Sequence, residues 1–117
     1  MSVEAPLPRR RCARRSPGDR LRDALLNLGE HQGQMLTHNE EPWASITYAG
    51  TRHKFTFVFA GEEALAAGER FVAALPDHEF ALPGQLVADA AVTEVDHRLL
   101  PSPRLAVQCA LLMLEEA

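Results

Sequence analysis

Residues 43–59, from Trp43 to Phe59, read WASITYAGTRHKFTFVF. β-Branched and aromatic residues dominate both halves, and Gly50-Thr51 stands between them. A glycine at the first central position of a two-residue loop suits a hairpin turn whose twist matches that of paired strands. This reading opposes Ala49 to Arg52, Tyr48 to His53, Ile46 to Phe55 and Ala44 to Phe57. Because strand side chains alternate faces, one face then collects Ile46, Tyr48, His53, Phe55, Phe57 and Phe59. The other collects Ser45, Thr47, Arg52, Lys54 and Thr56. A lone hairpin is marginal in water, so the remaining chain must supply strands and helices to cover the aromatic face.

Upstream, Ser16-Pro17-Gly18-Asp19 has the pattern of a helix start. Ser16 can cap, proline suits the first helical position, and Asp19 completes a capping box. Leu21, Ala24, Leu25 and Leu28 then recur at helical spacing, and Gly29 can close the helix in a left-handed conformation. Residues 37–42, THNEEP, read as a polar connection. Downstream, 62–75 is a second helix with an apolar stripe of Leu65, Gly68, Phe71, Val72 and Leu75, stopped by Pro76. Gly68 within that stripe suggests a close approach to the sheet.

Residues 85–95 alternate as a strand, with Leu86, Ala88, Ala90, Val92 and Glu94 facing inward. The segment 104–115 fits either a buried helix or a strand. The strand is preferred because it gives 85–95 an antiparallel partner. Leu105, Val107, Cys109, Leu111 and Met113 then share one face. The expected fold is α+β, in the order α-β-β-α-β-β, with helices 17–28 and 62–75 on one face of an antiparallel sheet of about four strands.

Charge divides the chain. The first 22 residues carry +5 and the remainder −9. Residues 1–15 read as a flexible basic arm ahead of a single domain over 16–117. Arg9, Arg10, Arg11, Arg14 and Arg15 could touch an anion or nucleic acid, whereas the acidic body argues against a general nucleic-acid surface. No apolar run is long enough to span a bilayer and no secretory signal pattern is present, so a cytoplasmic location without a membrane partner is expected.

The five histidines, His31, His38, His53, His78 and His97, show no recognised metal-ligand spacing. Cys12 and Cys109 do not form a zinc pattern either. Neither metal nor cofactor is expected. No nucleophile elbow, phosphate loop or paired-carboxylate frame is present, and no catalytic residue is assigned. Tyr48 and His53, opposed in the expected hairpin, are the candidate ligand-binding pair.

The chain therefore reads as a small non-catalytic interaction or ligand-binding domain. Leu111-Leu112-Met113-Leu114 would be apolar on both faces of a strand, which points to a homo-oligomer formed through the sheet. One alternative is a small enzyme built around Tyr48 and His53. Another is anion or nucleic-acid contact through the arm.

Overall fold

The computed structural model describes residues 16–116. Two helices pack on one face of a four-stranded antiparallel sheet. The elements run α1 (Pro17–Leu28), β1 (Gln34–Ala44), β2 (Ala49–Ala60), α2 (Glu62–Ala74), β3 (Gln85–Arg98) and β4 (Arg104–Glu115). A 3-10 turn, Leu75–Asp77, extends α2. The sheet order is β1-β2-β4-β3, so β2 and β4 are central. This is the expected α+β order, and 104–115 is a strand.

β2 and β4 build the core. Phe55, Phe57 and Phe59 of β2 point to the helices, as do Leu105, Val107, Cys109, Leu111 and Met113 of β4. All are at most 3% exposed. The register opposes Phe55 to Cys109 and Phe57 to Val107. Leu21 and Leu25 of α1 close over this surface, joined by Ala64, Ala67 and Phe71 of α2 and by Leu75. Phe71 meets Phe57 edge-on, with ring centroids 5.7 Å apart.

Local chemistry explains the helices. Ser16 Oγ accepts from Asp19 N at 3.1 Å, and the Asp19 carboxylate accepts from Ser16 N at 3.3 Å, completing the capping box. At Gly68, a Cβ would stand 2.8 Å from Leu105 and from the Phe59 ring. The missing side chain is what lets α2 approach the sheet. Arg70 of α2 donates two bonds to Glu30 after α1, at 2.6 and 2.8 Å, tying the two helices together. The Arg70 bonds hold the Glu30 carboxyl below its ordinary value.

The first hairpin, the α1 cap and the β3 phase depart from the sequence expectation, each for a physical reason. Gly50-Thr51 is not a turn. Both residues lie within β2, and the loop is Ser45–Tyr48, with Ala44 opposite Ala49. Ser45 N donates to Tyr48 O at 2.8 Å and Tyr48 N to Ser45 Oγ at 3.1 Å. Gly50 is a strand glycine because the β4 backbone at Met113 and Leu114 occupies the space of a Cβ. The supposed connection 37–42 is instead part of β1. It is polar and carries Pro42 because β1 is an edge strand, where a missing N–H and charged side chains are tolerated.

Second, Gly29 caps α1 with an ordinary φ of −82°. The left-handed residues are Glu30 and His31, at φ 60° and 57°. Third, irregularities between Val87 and Asp89 and between Val92 and Glu94 shift the phase of β3. Val87, Ala90 and Val92 pack against the core, whereas Leu86 is half exposed on the opposite face.

Candidate functional site

The inward row of β2 runs Phe59, Phe57, Phe55 and then His53. His53 is 1% exposed, the one buried polar residue among those described. Strand pairing brings β1 to it, with His38 opposite Phe55 and Glu40 opposite His53. Being two residues apart, His38 and Glu40 share the inward face. His38 stacks on the Phe55 ring at a centroid distance of 4.1 Å.

Three polar groups thus converge beneath the start of α1. His38 Nε2 and His53 Nδ1 are 2.9 Å apart, so one ring donates to the other. Glu40 Oε2 lies 3.6 Å from His38 Nε2. Gly18 covers the group, and a Cβ there would stand 2.8 Å from Glu40 Oε2. An adjoining cavity of about 120 Å³ is lined by Ser16, Glu40, Thr51, His53, Gln85 and Glu115 among others. His53 Nε2 is buried without a hydrogen-bond partner. Leaving such a nitrogen unpaired costs on the order of 1–3 kcal/mol.

Burial disfavours the imidazolium, and it lowers both histidines below their ordinary value. Glu40 opposes the shift at each ring. Asp19 also opposes it at His38, while Arg22 reinforces it there. Neutral imidazoles retain a free nitrogen lone pair, the form in which histidine ligates metals or accepts protons. Cys109 is different. Its thiol is pushed up to about 12 by burial, as befits a small core residue.

The structure separates the expected pair. Tyr48 lies in the 45–48 loop, more than half exposed, and lines a cavity of about 400 Å³ with Leu86 and Leu114. His53 instead meets His38 and Glu40. The expectation that no histidine spacing marks a ligand set missed this group because its members come from two strands. One signal was available: His38-x-Glu40 is a same-face pair if 37–42 is read as a strand. His31, His78 and His97 are exposed and stand apart from it. Arg9, Arg10, Arg11, Arg14 and Arg15 lie outside the described residues.

The second surface is the sheet face away from the helices. No helix covers it among the described residues. At one end Trp43, Leu86 and Leu114 share a row across the strands, with Leu112 of β4 in the next row. Arg52 and Lys54 of β2 also point outward, as do Asp89, Glu94 and Asp96 of β3. Glu41 pairs with Arg52. No described helix is long and apolar enough to cross a membrane.

No family model and no curated protein matches the chain. Among solved structures it is similar to the type 4 fimbrial biogenesis protein PilO from Pseudomonas aeruginosa, at 16% identity and a TM-score of 0.42. The likeness covers 77% of this chain and 63% of that one.

Proposed function

We propose that this chain is a non-catalytic interaction domain that works as a homodimer through the uncovered face of its sheet. The observation that carries this reading is β4, which is apolar on both sides. Its inward residues form the core, while Ala106, Ala110, Leu112 and Leu114 point the other way with no layer over them. Leu114 is only 9% exposed, whereas Leu86 beside it is 50% exposed. A contiguous apolar patch on an open sheet face is the usual mark of a partner surface.

A second copy suits the pattern of charge. A two-fold axis parallel to the strands would set the β2 side of each copy against the β3–β4 side of the other. The stems of Arg52 and Lys54 would then lie over Leu112 and Ala110 and reach toward the acidic β3 edge. The same axis superposes the two apolar ends, Trp43 with Leu86 and Leu114. Glu41 would approach that acidic edge too, but it already has Arg52 opposite it in its own sheet.

Charge-swapped variants test this arrangement. Arg52→Glu with Lys54→Glu should give a monomer, and so should Asp89→Arg with Glu94→Lys. Mixing the two should restore a heterodimer on size-exclusion chromatography with light scattering. Mixed variants that stay monomeric while the unaltered chain dimerises would overturn the orientation. If the double variants dimerise as before, the face is the wrong one.

A further inference from the structure

We infer that His38, His53 and Glu40 form a binding site for one divalent transition-metal ion of the zinc class. Their ligating atoms all lie within 4.8 Å of one another. Two nitrogens bound to one ion at roughly 2 Å and a tetrahedral angle stand about 3.3 Å apart. The 2.9 Å between the two imidazoles and the 3.6 Å from His38 to Glu40 bracket that span. Small rotations of the rings and carboxylate would complete the set. Two imidazoles and one carboxylate are donors that favour zinc and its neighbours over calcium or magnesium.

Binding requires both facing nitrogens to be bare, so the His38 proton sits on Nδ1 and the His53 proton on Nε2. Each ring remains neutral and no proton need be lost. The ion would replace the ring-to-ring hydrogen bond between His38 Nε2 and His53 Nδ1. Gly18 supplies the room, since any side chain there would press on Glu40. The positive end of α1 opposes a cation, but Asp19 in its first turn, Glu40 and the cavity-lining Glu115 offset it. That cavity leaves a coordination position for water or an outside ligand, the mark of an open rather than a closed zinc site.

The test uses the full-length chain, untagged and stripped with chelator, titrated with Zn²⁺ by calorimetry and with Co²⁺ by visible absorption. One ion should bind per chain, with the intense Co²⁺ bands of a four-coordinate site. Loss of an outer-shell partner alone costs about 10–100-fold in metal affinity, so His38→Gln should cost more than about 100-fold. Glu40→Gln should weaken binding in the same direction. Gly18→Ala should also weaken it by displacing the carboxylate, with the fold intact by circular dichroism. His78→Ala and Cys12→Ser should leave it unchanged. Absence of stoichiometric binding, or binding indifferent to Glu40→Gln and His38→Gln, would overturn the assignment.

Discussion

The two faces of the sheet are built from the same four strands, yet only one of them is finished. On the covered face, β2 and β4 present an unbroken apolar surface from Phe59 to Phe55 and from Leu105 to Met113, and it ends at His53. On the other, β2 shows Arg52, Lys54 and Thr56 beside Val58, whereas β4 continues with Ala106, Ala110, Leu112 and Leu114 around a single Gln108. β2 behaves as a strand with one wet side. β4 does not, and its composition is that of a strand buried twice. The contrast separates the surface that forms the core from the one on which the proposed dimer rests.

The sharpest way to break this contrast is to empty a position on each side. Phe57→Ala should cost about 3–5 kcal/mol in urea unfolding, the range for truncating a buried aromatic. Thr56→Ala, its neighbour on the open face, should change stability by about 0.5 kcal/mol or less. Comparable losses would mean that β2 packs both of its sides equally tightly. A smaller effect is expected at Gly68, where an added methyl meets Phe59 and Leu105 at 2.8 Å. Overpacking there should cost roughly 1–3 kcal/mol, less the ~1 kcal/mol that alanine gains over glycine within a helix. A net gain in stability would show that α2 can lift from the sheet freely.

Acid probes where the apolar surface stops. His38 and His53 have folded values depressed mainly by burial, so the unfolded chain takes up protons more readily. The stability at stake is fully present above the ordinary histidine value of 6.5 and is lost as pH falls through the depressed values. In metal-free buffer the urea midpoint should therefore begin to drop as pH falls below about 6.5. The Glu30–Arg70 pair adds to the slope only below about pH 4.5, the ordinary glutamate value from which Glu30 is depressed. His53→Leu should flatten the acid slope while changing stability near pH 7.5 by only about 1 kcal/mol in either direction, since it also removes the unpaired nitrogen. An unchanged slope would place the acid sensitivity elsewhere.

Much of the covered face was legible because its periodicity is strict. Phe55, Phe57 and Phe59 keep period two, as do Leu105 to Met113, and Ser16 with Asp19 announces α1. The first hairpin was misread where local propensity and tertiary role disagree. Ser45–Tyr48 looks like a strand but is a loop, with Ile46 fully exposed at its tip. Gln34–Ala44 looks like a connection but pairs along its length as an edge. Gly50 carries turn chemistry and instead answers to the β4 backbone, a constraint from residues more than sixty positions away. The histidine–glutamate group fell in the same blind spot, because it exists only once β1 is a strand. In β3 the phase shifts exchange Leu86 for Val87, which no regular alternation anticipates.

We propose that the open face of the sheet belongs to a second copy of the chain. Sedimentation velocity of the full-length protein at micromolar concentrations tests it most directly. A species of about twice the 12.9 kDa chain mass is expected. Leu112→Arg should return the protein to a monomer while its unfolding stays cooperative. A monomer at every concentration, or a dimer indifferent to Leu112→Arg, would contradict it.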